Sequence, residues 1–349
     1  MGVNISAPYI YVCTRMRVRK AKLLPKEEYM RMLNMSVAEI TRIIEETEYK
    51  QEIDELGTTF KGMDLMEVAL SWNLAKEYQK IQEITPGTLK GFTQAYLRRW
   101  DIQNVLTILR GKVQGEKSGK IKEILIPAGS LDKTVLDRLL SEESNDRIIE
   151  LLKDHRMSPV LAREYPAAKE SGSFSRMENE LYKQFYVEIL GDAKAGIKGG
   201  ASFLSYIQLE IDIKNVKTLF RLRVDTQADD VREMYIPGGS LSSADFASLH
   251  AIKDLNEFID QLKANVRNDS LHTLLDEMKG RKAMRDIEVR LTRVQLEQME
   301  KMSKRNPFSI HPILVYLEKK KYEVFNLRAL ARGKESRLSS ETIAEYLVI

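Results

Sequence analysis

WDIQNVLTILRGK, residues 100–112, is answered by IDIKNVKTLFRLR at 211–223 and by YEVFNLRALARGK at 322–334, each copy 111 residues after the last. An acid falls in step at Asp101, Asp212 and Glu323, an asparagine at Asn104, Asn215 and Asn326, and an arginine at Arg110, Arg221 and Arg332. Aliphatic residues continue the register: Ile102, Ile213 and Val324, then Val105, Val216 and Leu327, then Ile108, Leu219 and Leu330. Apolar positions three apart trace one buried face of a helix. An internal period of this kind decides how many times the fold is built, so every other reading depends on it.

The match extends outward. A tyrosine precedes each copy, at Tyr96, Tyr206 and Tyr316, and the turn IPAGSL at 126–131 returns as IPGGSL at 236–241. A second set places Glu67, Glu178 and Glu288 in step, within MEVAL, MENEL and IEVRL; a third aligns RIIE at 42–45, RIIE at 147–150 and the weaker EFID at 257–260. One multi-helix unit of about 110 residues is therefore used three times, with expected boundaries at 1–130, 131–240 and 241–349. RLSSETIAEYLVI (337–349) is expected to begin a further copy in the way that SLDKTVLDRLL (130–140) follows the first, and LLPKEEYMRML (23–33) occupies that same stage near the other end. Two such partial copies can complement each other and close the units into a ring; an open row with end caps is equally compatible with the sequence.

Helical periodicity covers most of the chain, near 26–50, 64–83, 88–112, 132–153, 176–190, 203–222, 242–264, 282–303 and 312–333, and strand alternation is nearly absent. The fold class is all-α. The polar, Gly-rich stretches GKVQGEKSGK (111–120) and GDAKAGIKGG (191–200) read as mobile or partner-facing connectors.

Bulk properties narrow the function. Of 349 residues 43% are apolar, enough for a real core, and 55 basic against 51 acidic residues leave a net charge of +4, too balanced for a nucleic-acid-binding surface. Cys13 is the only cysteine, which excludes an internal disulfide and a Cys-based zinc cluster and suits a reducing compartment. No apolar run reaches the ~18–20 residues that a membrane span needs. GEKSGK at 115–120 fails the phosphate-loop pattern because only three residues separate its glycines and Ile121 follows the lysine; at 191–197 the spacing fits but Ile197 replaces the lysine. His155, His250, His272 and His311 show no metal-ligand spacing, and no nucleophile elbow exists. The expectation is no catalytic residue, no metal and no cofactor.

The threefold Asp/Asn/Arg set and its tyrosines are the remaining polar constellation, read either as packing within the repeat or as an interaction surface. YLRRWDIQNVLTILRGK, the paired IPAGSL and IPGGSL, and NPFSIHPILVYLEKKKYEVFNLRALARGKESRLSSETIAEYLV together resemble the central-stalk connector of rotary ATPases: the C subunit of archaeal-type ATP synthases and its relative, the d subunit of the vacuolar ATPase. The resemblance spans essentially the whole chain. It implies an all-helical, funnel-shaped, pseudo-threefold rotor part without catalysis, seated peripherally on the cytoplasmic side of the membrane. Its implied partners are the proteolipid ring and the central axle, so that proton or sodium flow is coupled to ATP synthesis or hydrolysis. GDAKAGIKGG and the two PxGS turns are the candidate ring contacts. The competing reading is a free-standing helical scaffold for a soluble protein. An RNA-binding repeat lacks its basic stripe, and an enzyme would need a cleft joining Glu67, Glu178 and Glu288.

Overall fold

The computed structural model describes residues 7–224, 231–266, 269–279 and 287–349. It is all-helical, with no strand among the described residues. Two compact units account for the chain: a first made of Met1–Leu33, Ile189–Ala329 and Ser339–Ile349, and a second made of Asn34–Glu188 and Leu330–Leu338.

In the second unit, helices run over Val37–Ile44, Lys50–Leu56, Gly62–Ile84, Gly87–Leu97, Arg99–Val113, Ser118–Glu123, Lys133–Ser141, Asn145–Leu151 and Ser158–Ser171, followed by most of Ser175–Lys194. The buried stripe of Arg99–Val113 (Ile102, Val105, Leu106, Ile108 and Leu109) is the apolar register of the first copy. Tyr78 packs on Trp100 with ring centroids 5.8 Å apart.

In the first unit, Ala7–Ala21 and Lys26–Met32 join Gly200–Val224, Ser243–Ala251, Leu255–Asn265, Asp269–Met278, Ile287–Arg305, most of His311–Glu335, and Ser340–Tyr346. Its core gathers Val216, Leu219, Phe220, Phe246, Phe258, Ile259, Leu262, Leu275 and Leu291. Phe220 meets Phe258 edge-to-face at 5.2 Å, the geometry that the ring quadrupoles favour.

Several expected rods are broken, for local reasons. The stretch 26–50 divides after Leu33 because Ser36 and Glu39 form a reciprocal capping box that starts a new helix. Ser144 and Asp254 do the same within 132–153 and 242–264, each accepting a backbone N–H of its own first turn. These three caps head the three RIIE-type helices, so the breaks themselves recur with the repeat. The stretch 88–112 divides at Arg98, between Gly87–Leu97 and Arg99–Val113. Residues 282–286 of the expected helix 282–303 lie outside the described residues; its helix is seen from Ile287.

Both supposed connectors are largely helical. Ser118–Glu123 is a helix that buries Ile121, and Ser175–Lys194 runs on through GDAK with Ala193 buried. Ile121 also closes on Gly111, where an added Cβ would stand 2.6 Å from the Ile121 side chain. The N-terminal arm is a helix too. Arg17 donates to the Pro307 carbonyl at 2.7 Å and Lys20 pairs with Glu300 at 2.9 Å.

Candidate functional site

The shared register of acid and asparagine within the three copies makes one construction, a clasp on an extended segment that follows the motif helix. Asn104 is 2% exposed; its Nδ2 donates to the Ile126 carbonyl at 2.7 Å, while its Oδ1 accepts the Ile126 N–H at 2.9 Å. Asn215 grips Ile236 in the same way at 2.8 and 3.0 Å, and Asn326 grips Val348 at 2.9 and 2.8 Å. An amide side chain that satisfies both backbone groups of one residue replaces the strand partner which that segment lacks.

The acid completes the clasp. Asp101 is 1% exposed and accepts the N–H groups of Ser130 and Leu131, both at 2.9 Å, and the Ser130 hydroxyl at 2.7 Å. Asp212 accepts the Ser240 N–H at 2.6 Å; burial raises its carboxyl above the ordinary value, against the opposing pull of Ser240 and Leu241. The glycine of each PxGS turn is fixed by this approach rather than by its dihedral angles. A Cβ on Gly129 would lie 2.1 Å from Asp101 Oδ1, and one on Gly239 would lie 2.2 Å from Asp212 Oδ1. IPAGSL and IPGGSL recur because each is the object that a buried aspartate and asparagine hold.

In the third copy Glu323 accepts the Leu24 N–H at 2.7 Å and the ammonium of buried Lys320 at 2.8 Å. Leu24 therefore takes the place of Leu131, which suits LLPKEEYMRML as the counterpart of SLDKTVLDRLL. The C-terminal stretch corrects the expectation for RLSSETIAEYLVI: since Asn326 binds Val348 as Asn104 binds Ile126, this stretch matches GEKSGKIKEILIP at 115–127, not SLDKTVLDRLL. Its helix Ser340–Tyr346 answers Ser118–Glu123, and Ser340 Oγ donates to the Leu33 carbonyl at 2.6 Å.

The arginines and the aligned glutamates are one set. Arg110 pairs with Glu178 at 2.6 Å, Arg221 with Glu288 at 2.5 Å and Arg332 with Glu67 at 2.5 Å. The arginine of copy one meets the glutamate of copy two, that of two meets three, and that of three meets one. The Arg221 guanidinium holds the Glu288 carboxyl below its ordinary value. Partly exposed pairs of this kind contribute about 0–1 kcal/mol each, so their order carries more meaning than their strength. Both sets share the 111-residue period, and that common period is the signal from which the pairing can be read.

Tyr96, Tyr206 and Tyr316 are 1%, 1% and 3% exposed, which places them in packing rather than on a surface. The Arg99 guanidinium lies 3.6 Å from the Tyr96 ring centroid, and the Tyr206 hydroxyl reaches Met299 Sδ at 3.5 Å. Two residues that sequence reasoning missed steady the first turn: Gln79 donates to the Pro127 carbonyl at 2.8 Å and Gln82 to Ala128 at 2.9 Å.

One juxtaposition resembles a nucleophile site. Ser130 Oγ lies 3.1 Å from His155 Nε2 and 2.7 Å from Asp101 Oδ2. The wiring is wrong for a triad. The serine proton goes to the carboxylate, and Met157 N–H donates to His155 Nδ1, which leaves Nε2 as the donor toward the serine and unable to act as its base. Burial, moreover, lowers the pKa of His155.

Cys13 is wholly buried, 3.4 Å from the Ser309 carbonyl, and burial pushes its thiol up to about 11. At pH 8 about one such thiol in a thousand is ionised, against roughly one in four for a free cysteine. Alkylation by iodoacetamide at pH 8, followed by intact-mass spectrometry, is expected to be at least a hundredfold slower (order of magnitude) on the folded protein than in denaturant. Equal rates would show that the N-terminal helix is not docked.

The family model for the ATP synthase (C/AC39) subunit matches residues 12–346. The chain belongs to the ATP synthase (C/AC39) subunit family. The C subunit of the A-type ATP synthase of Methanosarcina acetivorans is 39% identical over 345 residues, covering 98% of this chain and 93% of its own length. Its counterpart in Methanosarcina barkeri is 37% identical over 350 residues, with 99% and 94% covered, and that in Archaeoglobus fulgidus 37% over 350 residues, with 98% and 97% covered. As a C/AC39 family member the chain is a structural rather than a catalytic component. No helix among its described residues is long and apolar enough to cross a membrane.

Proposed function

We propose that this chain is the rotor connector of an A-type or vacuolar-type ATP synthase. It sits peripherally at the cytoplasmic side of the membrane, on the proteolipid ring. There it receives the foot of the central axle and passes rotation between proton or sodium flow and ATP synthesis or hydrolysis. Three similar units, bounded near residues 130 and 240 and closed cyclically, form the pseudo-threefold, funnel-like socket of this reading. The observation that carries it is the cyclic order of Arg110–Glu178, Arg221–Glu288 and Arg332–Glu67. An open row of copies would leave the last arginine without a glutamate of a following copy, and here that arginine finds the first. The relatives' names supply the complex, and the buried clasps supply the stiffness that a torque-bearing part requires.

Affinity purification from gently solubilised native membranes, read by mass spectrometry, tests this reading. The expected result is co-purification of the proteolipid and axle proteins that survives a wash at raised salt. Recovery from the soluble fraction alone, without either partner, would move the reading to a free scaffold.

A further inference from the structure

A cavity of about 500 Å³ lies within the first unit, between Ile287–Arg305, His311–Glu335 and the segments around Leu24 and Val348. Lys301 and Lys304 line it from one helix face, two periods after Gln79 and Gln82, the residues whose amides hold the carbonyls of the first PxGS turn. The third copy thus replaces two neutral donors by two ammonium groups at the same register. Among the described residues Lys301 donates only to Ser270 Oγ, at 2.9 Å, and Lys304 and Lys26 have no carboxylate partner. Arg293 gives one amino group to the Leu347 carbonyl at 2.8 Å, while its Nε is shielded from solvent and has no acceptor.

The acids of the cavity are already largely engaged. Glu300 is held by Lys20 and Lys319, at 2.9 and 2.8 Å, and Glu323 by Lys320 and the Leu24 N–H, which leaves Glu297 against four cations. Tyr29, Tyr322 and Leu296 supply an apolar wall. The volume falls within the range of about 300–1,000 Å³ typical of small-molecule sites. Lysine acts as a point charge with little geometric demand, which suits phosphate oxygens, and an orphaned guanidinium Nε adds a directed donor.

We propose that this cavity binds a small phosphorylated anion, with a nucleoside polyphosphate as the form its tyrosine wall favours. Isothermal titration of the full chain with ATP, with pyrophosphate and with sulfate, at matched ionic strength, tests it. The expected result is saturable one-to-one binding of ATP and of pyrophosphate, weaker by at least tenfold with sulfate. A Lys301→Gln/Lys304→Gln variant, which restores the donors of the first copy, should keep its melting temperature and lose binding at least tenfold. Co-sedimentation with vesicles of anionic phospholipid separates the sources: sedimentation that pyrophosphate abolishes would assign a lipid headgroup, and its absence a soluble ligand. No saturable heat with either phosphate compound, or unchanged binding by the variant, would overturn the proposal.

Discussion

Gly129→Ala is expected to destabilise the second unit by about 2–4 kcal/mol, although alanine normally strengthens a chain that glycine leaves loose. The new Cβ would stand 2.1 Å from Asp101 Oδ1, and neither side can yield cheaply. The aspartate is buried and holds two backbone N–H groups and a hydroxyl, so moving it breaks all three bonds together. Asp101→Ala should cost about 3–5 kcal/mol, since it strands those donors in a protein interior. The double variant should cost clearly less than the sum, by about 1 kcal/mol or more, because alanine at 129 has nothing to strike once the carboxylate is gone. Trp72 and Trp100 both lie in the second unit and are the only tryptophans, so their fluorescence during thermal unfolding reads this cycle directly. Additive single effects would mean that the close approach has no energetic consequence.

Asn326→Asp is expected to be as damaging as Asn326→Ala, at about 2–4 kcal/mol, despite being isosteric. An aspartate keeps the acceptor for the Val348 N–H, at 2.8 Å, but replaces the donor to the Val348 carbonyl by an oxygen that repels it. The residue is 2% exposed, so water cannot compensate. Circular dichroism on heating should show both variants melting earlier by several degrees. An aspartate variant that melts with the parent would show that the Val348 segment is held by packing alone. The same substitution at Asn104 or Asn215 should behave alike, because all three asparagines do the same work on Ile126, Ile236 and Val348.

Much of this is legible in the sequence because the signals repeat. A period of 111 residues singles out the acid, asparagine, arginine and tyrosine positions without any knowledge of their contacts. What the residues touch is less accessible. Asp101 and Asn104 are visible as helix-face neighbours, but their partners are backbone groups 22 to 30 positions onward, which a side-chain alphabet does not display. The helix breaks at Ser36, Ser144 and Asp254 are written as capping residues, yet the apolar rhythm on either side of them runs on unbroken and conceals the stop. The equivalence of 337–349 with 115–127 is masked by composition: GEKSGK and RLSSET share a helix start but few residue types. Only the bond from Asn326 to Val348 fixes the register.

The measurement that bears most directly on the connector reading is ion pumping driven by ATP in membrane vesicles from cells depleted of this protein, with ATP hydrolysis followed in the same samples. With the connector missing, hydrolysis by the catalytic sector should continue while pumping falls to background, and adding back the purified chain should restore pumping. Pumping that persists at its full rate in vesicles shown to lack the chain would contradict a role in transmitting rotation.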